Sequence, residues 1–251
     1  MSKTVLITGA TAGFGAACAE RFAETGHRLL LNGRRTERLE AIAADLKTRF
    51  GTESLLLPFD VRDRAAATAA LEGLPEGWRN IDILINNAGL ALGRDLFAEA
   101  SLDDWDTMLD TNVKGLLYVT KAALPYMDRG AHIINLGSVA GKEVYERGNV
   151  YCASKFAVDA LSRSLRIDLL PRGIKVTAIH PGAADTEFSL VRFKGDADTA
   201  RKVYAGFTPL SARDVAEVIH YTSTLPPHVC INDLVLTCTQ QADAIYFHKD
   251  S

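Results

Sequence analysis

The chain has 251 residues, 47% hydrophobic and 24% charged, with 28 Lys/Arg against 31 Asp/Glu and a formal net charge of -3. That length suits one α/β core or two small ones. The charge balance gives nothing basic that asks for nucleic acid or an anionic membrane, and no apolar run approaches the ~18 residues of a membrane span.

The N-terminal stretch MSKTVLITGA has a short apolar run that leads straight into a glycine motif, so it reads as a first strand, Lys3–Thr8, and not as a signal peptide. The motif is Thr8-Gly9-Ala10-Thr11-Ala12-Gly13-Phe14-Gly15, ahead of a helical pattern over Phe14–Thr25. Gly9 permits a tight turn, Gly13 lets backbone approach a pyrophosphate, and Gly15 lets the helix pack close to the sheet. The helix start would present free N–H groups and a positive dipole end to phosphates, with Thr11 and Phe14 in the same loop.

A second strand, Arg28–Asn32, precedes a helix over Thr36–Arg49. A site for NAD usually carries an acid at this strand end to hold the ribose 2′-hydroxyl. Here the text is Asn32-Gly33-Arg34-Arg35. A carboxylate would repel a 2′-phosphate whereas an arginine fork grips it, so the residues favour NADP(H). The third strand, Ser54–Phe59, ends at Asp60-Val61, where an adenine would lie, and a helix follows over Arg64–Glu72. The fourth, Ile81–Asn86, ends in Asn86-Asn87-Ala88-Gly89, small and amide residues suited to close approach by a cofactor or to locking a turn. One long helical pattern covers Asp103–Met127, opened by Ser101 and Asp104 in the manner of a capping box.

The fifth strand, His132–Gly137, runs into Ser138, and thirteen positions later Tyr151 and Lys155 open a helix spanning Asn149–Leu170. Tyr and Lys at i and i+4 share one helix face. A neighbouring ammonium favours the phenolate, and a phenol with lowered pKa suits general acid–base chemistry, while a serine hydroxyl polarises a substrate oxygen. Strands at Lys175–His180 and Asp233–Cys238 and a helix over Ala212–Ser223 complete the pattern. Uninterrupted Val/Ile/Leu strands alternating with helices predict one domain over 1–251: a Rossmann-type, doubly wound parallel sheet of about seven strands, covered on both faces. Ligands in such sheets sit beyond the carboxyl ends of the strands, where these motifs fall. Four cysteines with no CxxC spacing (Cys18, Cys152, Cys230 and Cys238) read as small buried hydrophobes in a reducing cytoplasm, with no metal site.

On TGATAGFG at 8–15, NNAG at 86–89, Asn112, Ser138, Tyr151 with Lys155, and Pro181-Gly182 with Thr186, the chain resembles the short-chain dehydrogenase/reductase family over essentially its full length. The resemblance implies Tyr151 as acid/base and Ser138 as the group that orients substrate. It implies that Lys155 binds the nicotinamide ribose and that Asn112, through its backbone, holds a water in a proton relay. Pro181, Gly182 and Thr186 would surround the nicotinamide.

Asn87–Gly93, Thr186–Asp196 and Leu225–Val229 also resemble the NADP-dependent 3-hydroxy acid (serine or allo-threonine) dehydrogenases and related sulfoacetaldehyde reductases. That implies a small hydroxy acid or its carbonyl form as substrate, and a homotetramer. Two segments depart from that subgroup, the charged loop Lys142–Arg147 and the proline-free tail Leu236–Gln241. Tyr145 in that loop and Arg192 in a lid over about 187–207 are the candidate substrate contacts, Arg192 for a carboxylate. An edge strand at Asp233–Cys238 and an apolar tail over about 239–251 would need covering by another subunit. Two competing readings are weaker: a nucleotide-sugar epimerase would show TGxxGxxG and a longer C-terminal region, and a non-catalytic NADP sensor would have lost Ser, Tyr or Lys.

Overall fold

The computed structural model describes residues 2–250; Met1 and Ser251, the outermost positions of the single domain expected over 1–251, lie outside them. Strands β1 (Thr4–Ile7), β2 (Arg28–Gly33), β3 (Ser54–Pro58), β4 (Ile83–Asn86), β5 (His132–Leu136) and β6 (Lys175–Pro181), with a final strand Asp233–Leu236, form one sheet in the order β3-β2-β1-β4-β5-β6 and then the final strand. All six pairings are parallel, as in Ile7 with Leu31 on one side and Ile85 on the other. β1, β4 and β5 are buried at every position, which is why their sequences are continuous apolar runs rather than alternating ones.

Helices α1 (Gly13–Glu24), α2 (Thr36–Phe50), α3 (Arg64–Glu72), α4 (Leu102–Leu109), α5 (Leu116–Ala123) and α6 (Asn149–Asp168) provide the crossovers. Phe22 of α1 and Leu39 of α2 pack on one face of the sheet with Val5, Ile7 and Leu31. Leu71 of α3 and Val119 of α5 pack on the other with Leu6, Leu30 and Ile133. The strand order reverses between β1 and β4, and the crevice there opens at the carboxyl ends, beside the start of α1.

The single helix expected over Asp103–Met127 is broken. α4 ends at Leu109, a π-helical turn runs over Asp110–Gly115, α5 follows, and a 3-10 turn with Pro125 closes the segment. The cause is non-local. Asn112 is buried and its amide holds the Leu90 backbone from both sides, while Gly115 packs so tightly on Val61 that a Cβ would come within 2.7 Å of Val61 Cγ2. Ser101 caps α4 as expected, but Asp104 turns its carboxylate to Lys194, 2.8 Å away.

After β6 come a short strand β7 (Ala184–Asp185), lid helices α7 (Glu187–Arg192) and α8 (Ala197–Lys202), a strand β8 (Leu210–Ser211) paired with β7, then α9 (Ala212–Thr224) and β9 (Asp233–Leu236). The tail folds back on its own chain. Gln241 bridges Phe247 antiparallel, and the Phe247 ring lies 5.0 Å from that of Phe207. Phe247 therefore finds its cover inside the chain, while Ile245 and Tyr246 stay 57% and 70% exposed. Among the described residues no helix is long and apolar enough to cross a membrane.

Candidate active site

The cleft begins at the turn from β1 into α1. Gly9 and Gly13 adopt φ of +64° and +52°, a left-handed conformation that glycine takes without a Cβ penalty. Gly15 is required by close approach, since a Cβ there would stand 2.2 Å from the Gly9 carbonyl. Ala12 at the N-cap of α1 supplies no side-chain cap and the first turn holds no acid. The leading N–H groups and the positive dipole end are therefore left to an anion.

The loop after β4 closes over this turn. Thr8 Oγ1 accepts from Asn87 and Ala88 N–H at 3.0 and 2.9 Å, and Asn87 Nδ2 donates to the Thr8 and Gly9 carbonyls. The Asn87 amide thus locks the loop. Asn86 goes into a buried amide chain, donating to Asn135 Oδ1, and Asn135 donates to Ser162.

A cleft of about 1440 Å³ runs from this turn to the lid. Gly9, Gly13, Phe14, Arg34, Arg35, Asn87, Ala88 and Gly89 line one part of it; Ser138, Tyr145, Tyr151, Lys155, Pro181, Gly182, Thr186 and Arg192 line the other. Four expected cofactor residues do not line it. Gly15 acts behind the turn. Thr11 Oγ1 accepts from Arg35 at 3.4 Å. Val61 is buried against Gly115. Asp60 is gripped by Arg62 and stands 3.7 Å from Arg34. Burial works to raise the Asp60 carboxyl, but these arginines prevail and hold it below its ordinary range. Arg34 and Arg35 edge the cleft with no acid at the end of β2.

Ser138, Tyr151 and Lys155 all line the cleft. β5 delivers Ser138, whose Oγ accepts from Ala140 N–H at 3.1 Å. The first two turns of α6 deliver the other two, only 8% and 7% exposed. Lys155 Nζ donates to the Leu136 carbonyl at 2.9 Å, and burial lowers its pKa to about 8. A Cβ on Gly89 would stand 3.5 Å from that ammonium, so the loop after β4 passes close by.

The lowering of Tyr151 expected from Lys155 is not found. Burial dominates and pushes the phenol above its ordinary range, aided by neighbouring Tyr145, while the Ser138 hydroxyl and the Arg192 guanidinium pull the other way. Lys155, committed to the Leu136 carbonyl, does not offset that burial. Asn112 spends its side chain on Leu90 and Ser154, in the π-helical turn, a feature frequent at functional sites.

The lid covers Tyr151. The Phe188 ring lies 5.6 Å from the Tyr151 ring, and Thr186 caps α7. Arg192 is held from both sides: its carbonyl accepts from Gly93 N–H at 2.9 Å, and its guanidinium donates to the Tyr145 hydroxyl at 2.8 Å. Its guanidinium carbon lies 5.1 Å from the Tyr151 ring centre. Its Nε is buried without a hydrogen-bond partner among the described residues. The alternative ion pairs for Arg192 are taken: Glu187 faces Arg38, and Asp196 caps α8.

Two further groups border the site. Arg94 approaches the Tyr145 ring from the loop after β4, with 5.9 Å from guanidinium carbon to ring centre. Gln241 of the tail accepts from Ala183 N–H at 2.8 Å and backs Gly182 so closely that a Cβ there would meet its Oε1 at 2.2 Å. Both depend on chain folding over long separations, and no local pattern announces them.

A short chain dehydrogenase family model matches residues 3–196. The chain is 48% identical over 250 residues to the NADP-dependent 3-hydroxy acid dehydrogenase of Salmonella typhi, covering 98% of this chain and 99% of that one. It is 49% identical over 245 residues to sulfoacetaldehyde reductase 2 of Chromohalobacter salexigens, covering 96% of each. Among solved structures it superposes on the closed form of serine dehydrogenase complexed with NADP+ with a TM-score of 0.89 at 48% identity, covering 98% of this chain and 99% of that chain. With a seven-stranded parallel sheet and a family match over most of its length, the chain belongs to the short-chain dehydrogenase family.

Proposed function

We propose that the chain is an NADP(H)-dependent oxidoreductase that reversibly interconverts a small 3-hydroxy acid and its carbonyl form. The observation that carries the substrate class is the buried, unpaired Nε of Arg192 beside the Tyr151 ring. A buried guanidinium N–H without an acceptor is costly, and a planar carboxylate fits its fork. The 3-hydroxy acid dehydrogenase similarity supports the same reading. A sulfonate would satisfy that N–H as well, in keeping with the similarity to a sulfoacetaldehyde reductase. An NADP-linked oxidation screen across 3-hydroxy acids, plain secondary alcohols and hydroxysulfonates separates the readings; turnover of neutral alcohols alone would overturn both.

The cleft fits a dinucleotide at the uncapped start of α1. Gly9, Gly13 and Phe14 would hold the pyrophosphate, Arg34 and Arg35 the 2′-phosphate, and Asn87, Ala88, Gly89, Lys155, Pro181, Gly182 and Thr186 the nicotinamide half. A bound nicotinamide would supply or accept the hydride. Tyr151 carries the proton of the reacting oxygen, Ser138 orients that oxygen, Lys155 holds the ribose, and Asn112 supports the relay. The raised Tyr151 pKa keeps its proton on at neutral pH, which suits donation to a carbonyl being reduced.

The cofactor assignment has a direct measure. A charge-assisted pair from Arg34 or Arg35 contributes roughly 1.5–3 kcal/mol, which gives NADP about a 10- to 150-fold advantage over NAD in kcat/KM. Equal values would sink it.

We assign a cytoplasmic location, which fits four free thiols, and a homotetramer. The exposed β9 edge with Val235, and the exposed Ile245 and Tyr246, support that assembly. Light scattering at micromolar concentration should give four times the chain mass, and a monomer would contradict it.

A further inference from the structure

Behind Ser138, outside the cleft, lies a cluster of charged groups that the proposed reaction does not use. His180 of β6 is fully buried, and its ring lies against Gly137 so closely that a Cβ there would meet its Nδ1 at 2.4 Å. Its Nδ1 stands 3.2 Å from the Ser138 carbonyl. Its Nε2 faces Asp233 Oδ1 at 3.1 Å and Asp159 Oδ1 at 3.7 Å, yet has no aligned hydrogen bond. Asp159 sits on α6 one turn beyond Lys155, and Asp233 opens β9. Both carboxylates hold Lys142, from the loop that carries Tyr145, and Arg163 lies 2.9 Å from Asp159.

We propose that His180 is a positioning residue for Ser138, working as the neutral Nδ1–H tautomer, with Lys142 holding it in that state. A carbonyl only accepts, so Nδ1 must carry the proton if the ring is to hold Ser138. In the neutral ring Nε2 is then a lone pair facing carboxylate oxygen, an arrangement that needs a nearby positive charge. Lys142 provides that charge. Its ammonium contacts both Asp159 and Asp233, the two acids that would otherwise draw a second proton onto Nε2. Burial, with Lys142 next, lowers the affinity of His180 for that second proton, against the opposing pull of Asp233, the Ser138 carbonyl and Asp159. The same ion cluster ties the Tyr145 loop to α6 and β9. Ser138 and the loop that carries Tyr145 are thus held from behind by one unit.

The inference rests on Ser138 serving the reaction proposed above, and its tests separate the two. The first uses the unaltered protein. Nitrogen-15 shifts of the imidazole, assigned by comparison with His180→Asn, should report a neutral Nδ1–H ring at pH 7.5; an Nε2–H tautomer or an imidazolium would overturn the proposal whatever the substrate proves to be. The second compares isosteres. The Asn amide can place its nitrogen near the position of Nδ1, whereas Gln places its nitrogen near Nε2. His180→Asn should keep kcat within about threefold of wild type, and His180→Gln should lose about tenfold or more, with NADP+ binding by fluorescence and Tm alike in the two. Equal kcat for Asn and Gln, or a Gln variant faster than Asn, would overturn it. Activity lost in Ser138→Ala but Asn and Gln alike would leave the reaction standing and the positioning role refuted.

Discussion

Tyr151→Phe is expected to lower kcat by about 10²-fold or more while leaving dinucleotide affinity close to that of the unaltered enzyme. The substitution keeps the ring against Phe188 and removes only the hydroxyl, so packing of the lid survives. What is lost is the hydroxyl proposed to carry the proton, and general acid–base contributions are typically ~10²–10⁴-fold. The pH dependence carries the sign of two shifts with one cause. Burial raises Tyr151, so its proton stays on through the neutral range and reduction should not fail there for want of an acid. Burial lowers Lys155 to about 8, so its positive charge is lost as pH rises through that value, and carbonyl reduction should decline above it. Stopped-flow NADPH oxidation from pH 6 to 10 reads both effects. Near-normal turnover in the Phe variant would remove Tyr151 from the acid/base role, and a flat rate across pH 7–9 would remove the Lys155 charge from the rate.

Much of this site can be read locally because its parts lie at strand ends or one helix turn apart. The glycine turn at 8–15, Ser138 at the end of β5, and Tyr151 with Lys155 on α6 each need only a strand, a turn or an i,i+4 spacing to be found. The sheet was legible for the same reason, since strands buried on both faces are continuous apolar runs. What could not be read depends on partners far along the chain. The interruption of the helix at Asn112 follows from Leu90 and Val61; the support of Gly182 comes from Gln241; the partners of Lys142 are 17 and 91 positions away. The raised pKa of Tyr151 is hidden from the sequence because charge proximity along α6 is visible there, whereas the depth of burial beneath the lid is not.

Arg192→Ala should cost roughly 2–4 kcal/mol in kcat/KM for a 3-hydroxy acid, about 30- to 1000-fold, because a substrate carboxylate would be left in a partly desolvated pocket without its partner. The structure also shows why a neutral alcohol will not be wholly indifferent. Arg192 donates to Tyr145 and lies 5.1 Å from the Tyr151 ring, where its charge helps hold down the phenol pKa. Its removal should therefore shift the pH profile of every substrate in the same direction, toward higher pH. The discriminating quantity is the ratio of losses. If Arg192 reads the anion, the hydroxy acid should lose at least tenfold more than a neutral alcohol of equal size. Arg192→Lys should recover the common pH profile, since the charge returns, but only part of the acid preference, since an ammonium cannot meet both carboxylate oxygens as a planar fork does. Equal losses on acid and alcohol across the series would mean that Arg192 serves only Tyr145 and Tyr151. The substrate anion would then have to be sought at Arg94, the other guanidinium that faces the Tyr145 ring.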